Sequence, residues 1–365
     1  MRVLLFGDRI GIPQLLRHIP AAHLCGFVVA ANRPQYHEYV KATATAMNLP
    51  FLIQPLPSSK NYIKFKNDVE ALAPDLILVY SYSLILRDDV LSVPKLGGIN
   101  IHGALLPEYR GCNPTEWAII NGESTTGVTM HEISIGIDEG RIIDRALTPI
   151  LIEDTWREAT DRVIAETDRL IARNLDAILS GTWSSTDQDE TKAHYCRRRF
   201  FEDGRFDWGQ PVLEIYNIVR ALVFPHPGAS YVHSDGSLVV ISERKTFAEI
   251  TLLKYEHSVG GFLRGIELDL IPIAATDKLI KRNSERAGSI NFSVTKTADG
   301  SVAGWCRIQK ILWGQGIAEV SIDFIDGTVV SDAFESEVVS LITRYAVQEL
   351  KLAGVSKVAA GSYAV

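Results

Sequence analysis

Two polar residues on one predicted strand have the types and the spacing that acid–base chemistry needs. Asn100 and His102 are two positions apart within 98–111, so on a strand both side chains project from the same face. Asp138 follows a later predicted strand, in a loop flanked by glycines that can bend back toward the imidazole. Acyl transfer to an amine needs a base, a donor to the oxyanion and a group that orients the base. His102, Asn100 and Asp138 suit these roles in that order.

The segments around these residues predict the sheet edge at which they meet. Apolar runs typical of buried strands alternate with amphipathic stretches typical of helices: strands at 3–6, 25–30 and 75–80, helices at 13–18, 38–47 and 62–72. This alternation predicts an α/β fold, a Rossmann-like and mostly parallel sheet with flanking helices. Ligands of such sheets bind beyond the carboxyl ends of the strands. The reaction itself stays open at this point, because a single Asn, His or Asp near a strand end is most often a turn former.

Several independent elements around these residues resemble the formyltransferase family, which includes methionyl-tRNA, glycinamide-ribonucleotide and sugar-amine N-formyltransferases. The family pattern is Asn-x-His, then Leu-Leu-Pro and Arg-Gly, then an Asp inside an Asp-x-Gly loop. The same elements stand here in the same order: Asn100, His102, Leu105-Leu106-Pro107, Arg110-Gly111 and Asp138-Glu139-Gly140. The resemblance covers roughly residues 1–245, and it implies N10-formyltetrahydrofolate as co-substrate and no metal.

The resemblance also implies a pocket for the pterin ring of the folate. The residues that it places there are Leu84, Ile85 and Leu86 together with Ser134, Ile135, Gly136, Ile137 and Asp138. Pterins bind through apolar packing and backbone hydrogen bonds, so the identity of the lining side chains can vary.

The acceptor that the resemblance implies is an amino sugar linked to a nucleotide. The stretches GDRIGIP, INIHGALLPEYRG and RRRFFEDGRFDW look most like the sugar N-formyltransferase branch. Arg9, after the first strand, and Arg110, at the active-site turn, are the predicted contacts to phosphate or sugar hydroxyls. Cys112 stands where one bacterial branch carries Arg, so this protein is expected to hold its acceptor in its own way.

Two other reactions and a non-enzymatic role stand as alternatives. Methionyl-tRNA formyl transfer needs a basic surface for the tRNA backbone, whereas the chain has a net charge of −7 and, from residue 251 onward, 12 Lys/Arg against 13 Asp/Glu. Formyltetrahydrofolate hydrolysis would use a similar residue set but needs no acceptor pocket, and the long second half argues against it. A folate-binding or scaffold protein would be expected to lack one of the three residues Asn100, His102 and Asp138. All three are present. We therefore expect a small-molecule substrate and no nucleic acid.

The length of 365 residues predicts more than one domain. We expect a catalytic domain at 1–180, a small β-rich C-terminal subdomain at 181–250 and an α+β domain at 260–365. The last of these faintly resembles the GNAT acetyltransferase fold. Its turn at 326–332 has one glycine and two aspartates where a coenzyme A pyrophosphate would bind. We therefore expect a degenerate relative that serves packing, homodimer formation or acceptor binding.

The cysteines and the apolar runs predict a cytoplasmic protein without a membrane partner. Cys25, Cys112, Cys196 and Cys306 are scattered without a CxxC pair, which argues against a zinc site or a disulfide framework. The apolar run at the N-terminus is short and leads into a Gly-Asp turn, as expected of a first strand rather than a signal peptide. No stretch approaches the ~20 apolar residues that a membrane span needs.

Overall fold

The computed structural model of the chain describes residues 1–233, 235–247, 249–250, 253–254, 266–270, 290–296, 302–312, 316–324 and 332–357. The described residues fall into two compact units. The first unit takes in residues 1–118, 125–150 and 157–199, and the second takes in the other described residues.

Nine strands belong to the first unit. They are β1 (Val3–Gly7), β2 (Leu24–Ala30), β3 (Phe51–Gln54), β4 (Leu76–Tyr80), β5 (Gly98–His102), β6 (Arg110–Gly111), β7 (Thr125–Glu132), β8 (Ile142–Pro149) and β9 (Tyr195–Cys196). Seven of them form one sheet in the order β3-β2-β1-β4-β5-β7-β8, and β6 pairs with β9. The first five strands in this order, β3-β2-β1-β4-β5, run parallel to one another. Strand β7 is antiparallel to both of its neighbours, β5 and β8. The predicted mostly parallel sheet with flanking helices is confirmed.

The strands β1, β2 and β4 are buried on both faces, which is why they read as continuous apolar runs. In β1 alternate side chains enter opposite cores, with Leu5 in one apolar cluster and Phe6 in the other. The helices that supply the covering layers are α1 (Gly11–His18), α2 (His37–Ala46), α3 (Tyr62–Ala71), α4 (Asp88–Leu91), α5 (Pro114–Ile120) and α6 (Trp156–Ser180). Within the described part of the chain, no helix has both the length and the apolar character that a membrane crossing requires.

The second unit is rich in strands. Its elements are α7 (Val212–Ala221), β10 (Ala229–Val232), β11 (Leu238–Ile241), β12 (Ile266–Leu270), β13 (Ile290–Lys296), β14 (Val302–Leu312), β15 (Ile317–Phe324), α8 (Asp332–Gln348) and β16 (Gly354–Lys357). Strands β10 and β11 form an antiparallel hairpin. Strands β12 to β15 pair antiparallel in chain order, and β16 returns through α8 to lie parallel to β15.

The C-terminal β-rich region is thus present, whereas its likeness to the GNAT fold stays a prediction. Of the turn at 326–332, only Asp332 lies within the described residues, as the first residue of α8. The predicted start of a new domain near residue 260 also lies outside them.

Candidate active site

Strand β5 places Asn100 and His102 at its carboxyl end. Ile99 and Ile101 alternate with them and pack in the core of the first unit, so the two polar side chains share the other face of the strand. His102 is buried and Asn100 is half-buried. The spacing that suggested a shared face is therefore realised by the strand.

Asp138 lies in the loop between β7 and β8, and its carboxylate meets both residues. Asn100 Nδ2 donates to Oδ1 at 3.2 Å, and the backbone N–H of Gly111 donates to Oδ2 at 2.9 Å. His102 Nδ1 is 3.4 Å from Oδ2, and His131 Nε2 is 3.4 Å from Oδ1. The structure thus brings together the three residues predicted to be catalytic.

The backbone of Asp138 is in the left-handed region, with φ at +55°. For a residue other than glycine this conformation costs about 1–2 kcal/mol, and it persists where the surroundings hold it. Here the carboxylate is held by hydrogen bonds from β5 and from the turn at Gly111. The left-handed conformation therefore has compensating contacts at the site.

The charge of Asp138 is set by opposing effects. Burial alone would raise the pKa of the carboxyl, but the imidazoles of His102 and His131 and the N–H of Gly111 lower it by more. The net result is a pKa well below the ordinary value for Asp. The group is therefore ionised at neutral pH, as an orienting carboxylate must be.

The ring of His102 lies between two acceptors. Its Nε2 is 2.8 Å from the carbonyl oxygen of Tyr109, and because a carbonyl can only accept, Nε2 carries a proton and donates. Its Nδ1 faces Asp138. This arrangement orients the imidazole, but Nε2 can receive a proton from an amine only after it releases the Tyr109 carbonyl and gives up the proton it carries. The role of His102 as a base stays a prediction.

His131 is a site residue that the sequence analysis missed. It lies on β7 directly opposite Asn100, and only 2% of it is exposed. Its Nδ1 is 2.8 Å from the carbonyl oxygen of Glu132, so Nδ1 donates and Nε2 faces Asn100 Nδ2 at 3.1 Å. The available signal was a histidine in a buried strand, TTGVTMHE, that is antiparallel to β5. That pairing cannot be inferred from local spacing.

The predicted pterin-pocket residues differ in exposure. Within 84–86, Leu86 is buried in an apolar cluster and Leu84 is half-buried, whereas Ile85 is 57% exposed. In the other loop Ile135 is 78% exposed and Ile137 is 47% exposed. Ser134 is also exposed, and Gly136 is half-buried. Ile135 and Ile137 are apolar groups close to Asp138 in the chain, and the folate role of both loops stays a prediction.

Arg9 is exposed in the turn before α1. The neighbouring Asp8 carboxylate accepts the N–H groups of Ile10 at 2.8 Å and Gly11 at 3.1 Å, and it accepts the hydroxyl of Ser81 at 2.9 Å. The amides at this helix start are therefore already bound to a carboxylate. A substrate phosphate at this end would have Arg9 but not these amides, and the predicted role of Arg9 stays a prediction.

Arg110 is fully buried, and all five of its guanidinium N–H groups donate within the protein. Nε and Nη2 donate to Gln188 Oε1 at 3.1 and 2.7 Å, and Nη1 and Nη2 donate to the Glu190 carboxylate at 3.0 and 2.7 Å. The fifth donates from Nη1 to the Tyr195 hydroxyl at 2.9 Å. No donor is left for a ligand in this arrangement. The predicted contact to phosphate or sugar stays a prediction, and it would require one of these bonds to open.

These partners of Arg110 come from residues 186–196, which we call the return segment. Thr186 exchanges backbone hydrogen bonds with Ile142 at its start, and β9 pairs with β6 at its end. The segment lies in the first unit, although the predicted boundary after residue 180 assigns it to the β-rich subdomain. That boundary stays a prediction.

The site as a whole combines an ionised carboxylate, two imidazoles and a primary amide at the edge of a sheet. An imidazole can exchange protons near neutral pH, and an amide N–H can donate to an oxyanion. Within the described residues no group of three or more His, Cys, Asp or Glu side chains could hold a metal ion.

Two family models match the chain. Residues 27–175 match the formyl transferase family, and residues 201–253 match the formyl transferase C-terminal domain. A curated relative, the bifunctional polymyxin resistance protein ArnA of Wigglesworthia glossinidia brevipalpis, is 36% identical over 191 residues. These residues are 52% of this chain and 29% of that protein, so the match spans less than a third of the relative's length.

Solved structures show the same fold. A 4-N formyltransferase from Francisella tularensis has a TM-score of 0.55 at 17% identity, over 67% of this chain and 98% of that one. An N-formyltransferase from Helicobacter canadensis, in complex with folinic acid and dTDP-3-aminofucose, has a TM-score of 0.51 at 20% identity. That likeness covers 64% of this chain and 85% of the other.

Proposed function

The chain belongs to the formyl transferase family, and from that premise we propose that it transfers a formyl group from N10-formyltetrahydrofolate to the amine of a nucleotide-linked amino sugar. The observation that carries this proposal is the contact of Asp138 with both Asn100 and His102, at 3.2 and 3.4 Å. These are the residues that the family pattern places at the reaction centre.

In the proposed reaction the acceptor amine attacks the formyl carbon, and the bond from that carbon to N10 breaks. The amine loses one proton, N10 gains one, and tetrahydrofolate leaves. His102 takes the proton from the amine. Asn100 turns one amide N–H, which in this structure donates to Asp138 or faces His131, to the oxyanion of the tetrahedral intermediate. Asp138 stays ionised and holds the imidazole, which its lowered pKa supports.

The folate is the formyl donor, and apolar side chains next to the site suit its pterin ring. Ile135 and Ile137 are exposed in the loop that carries Asp138, and Ile85 is exposed in the other predicted loop. A flat aromatic ring binds well between such side chains when backbone groups supply its hydrogen bonds. These loops are the proposed folate contacts.

The acceptor assignment is supported by a relative of the same fold. The Helicobacter canadensis protein was solved with folinic acid and dTDP-3-aminofucose, a folate and a nucleotide-linked amino sugar. The net charge of −7 is a poor basis for tRNA binding, which favours a small acceptor. We place the reaction in the cytoplasm, in line with the scattered, unpaired cysteines.

The test is an acceptor panel with the purified full chain. With N10-formyltetrahydrofolate and a set of nucleotide-linked amino sugars, we expect release of tetrahydrofolate that depends on one class of sugar. The Asn100→Ala variant serves as the background control. Equal release without any acceptor would instead identify a formyltetrahydrofolate hydrolase, and turnover only with methionyl-tRNA would identify the tRNA reaction.

A further inference from the structure

We propose that Gln188, in the return segment, is a positioning residue that holds the Asp138 loop in its reactive conformation. The proposal rests on the proposed function in one respect, since it takes Asp138 to act in formyl transfer. Gln188 is 50 positions from Asp138 in the chain.

The amide of Gln188 holds the backbone of the Asp138 loop at two points. Its Nε2 donates to the carbonyl oxygen of Asp138 at 2.7 Å and to that of Gly140 at 2.7 Å. These two carbonyls lie on either side of Glu139, so the amide spans the turn that carries the carboxylate. Both N–H donors of the side chain are used on this loop.

Arg110 fixes which way the amide points. Its Nε and Nη2 both donate to Gln188 Oε1, so the oxygen faces the guanidinium and the nitrogen faces the loop. The buried guanidinium is held in turn by Glu190 and Tyr195. The two donors and the oxygen of Gln188 are therefore all in use.

The Asp138 loop needs such support because its own packing is weak. Asp138 is left-handed at φ +55°, and Ile135 and Ile137 beside it are exposed rather than packed in a core. Apart from Gln188, the hydrogen bonds to Asp138 end on its carboxylate, from Asn100 and Gly111. Holding the two carbonyls keeps the carboxylate directed at these partners, since the loop backbone cannot turn away.

The geometry requires an amide at position 188 rather than a carboxylate. A glutamate there would still accept from Arg110, but it would present an oxygen to two carbonyl oxygens. Gln188→Glu therefore removes the donors and keeps the acceptor, and Gln188→Met removes the donors without adding charge. The matched control is Asp187→Asn, because Asp187 is the adjacent residue, is 81% exposed and contacts Arg141.

The first measurement is steady-state kinetics of the full chain. We expect kcat to fall by roughly tenfold or more in both Gln188 variants, since a misplacement of about 1 Å at a reaction centre can cost about 10²-fold. The KM for N10-formyltetrahydrofolate should change by less than about twofold, and Asp187→Asn should keep the wild-type kcat.

The second measurement needs no substrate and reads Asp138 directly. With ¹⁵N-labelled glycine, the Gly111 amide resonance reports the hydrogen bond to Asp138 Oδ2. The titratable groups facing that carboxylate are His102 from β5 and His131 from β7, and both lower its pKa. We expect the acid titration of the Gly111 resonance to move to higher pH in both Gln188 variants and not in Asp187→Asn.

These two readouts separate positioning from mere packing. An unchanged Gly111 titration in both variants overturns the proposal, whether kcat falls or not. A fall in melting temperature without a change at Gly111 would show that Gln188 only satisfies Arg110. If the chain transfers no formyl group, the proposed function fails, and the Gly111 measurement still decides the role of Gln188.

Discussion

At the residue scale, the proposed reaction depends on His102 and Asn100 meeting Asp138. We expect His102→Asn to lower kcat by at least about 10²-fold, because loss of a general base typically costs 10²–10⁴-fold. Asn100→Ala should cost a similar factor through the oxyanion. Steady-state kinetics with the identified acceptor tests both, and folate binding by fluorescence should be nearly unchanged.

The matched control for this prediction is His23→Asn. The His23 ring contacts the carbonyl of Met1 at 3.1 Å, near the amino end of β2 and so at the opposite edge of the sheet from His102. A wild-type kcat in His102→Asn would refute the base assignment.

The lowered pKa of Asp138 predicts a pH dependence of stability. Because the folded-state pKa lies below the ordinary 3.8, the ionised group stabilises the fold above that value, and this contribution is lost as pH falls toward the folded pKa. The difference in free energy of unfolding between wild type and Asp138→Asn should be constant near neutral pH and shrink below about pH 4. Urea unfolding of both proteins between pH 3 and 7 measures it. A difference that shrank already between pH 7 and 5 would assign it to another group.

At the element scale, a steric restriction explains why position 140, the last of the Asp-x-Gly motif, is a glycine. A Cβ on Gly140 would lie 1.7 Å from the carbonyl oxygen of Glu132, at the end of β7. Gly140→Ala should therefore push the loop from β7, lower the free energy of unfolding by about 1–3 kcal/mol and reduce kcat as well. Thermal unfolding and kinetics measure the two effects.

Gly354→Ala is the control for this substitution, since nothing lies within 4 Å of the Cβ it would add. If Gly140→Ala were as stable and active as Gly354→Ala, the loop would have a relaxed conformation other than the one described.

At the scale of the whole molecule, the second unit joins its early and late segments through Glu349. The Glu349 carboxylate accepts the N–H of Val212 at 2.8 Å, at the start of α7, and the ammonium of Lys254 at 2.6 Å. Glu349→Ala should lower the free energy of unfolding by about 0.5–2 kcal/mol, as loss of a helix cap does. The control Glu214→Ala breaks an exposed contact to Lys351 at 3.5 Å and should cost less than about 1 kcal/mol. If both substitutions lowered the free energy of unfolding equally, Glu349 would contribute no more than an exposed ion pair does.

The same contact makes truncation after about residue 250 a test of the C-terminal unit. We expect the shortened chain to lose solubility or to lose a homodimer. Without Glu349 the start of α7 loses its cap, and apolar side chains that pack against the removed part become exposed. Asn100, His102 and Asp138 should be unaffected. We also expect the full chain to bind no acetyl-coenzyme A. Calorimetry showing micromolar binding of acetyl-coenzyme A would contradict the second expectation. A truncated chain with full solubility and unchanged oligomeric state would contradict the first.

The sequence alone was enough for the mostly parallel sheet and for the shared face of Asn100 and His102. Burial on both faces leaves continuous apolar runs such as β1 and β4, and the two-residue period of a strand puts Asn100 and His102 on one face; both signals are local. Only the tertiary structure brings His131 opposite Asn100, surrounds Arg110 with protein acceptors and places Gln188 against the Asp138 loop. These contacts depend on strand register and on a segment that returns over some 50 residues. The periodicity of residues within one segment does not predict such pairings, because they form only when distant parts of the chain pack together.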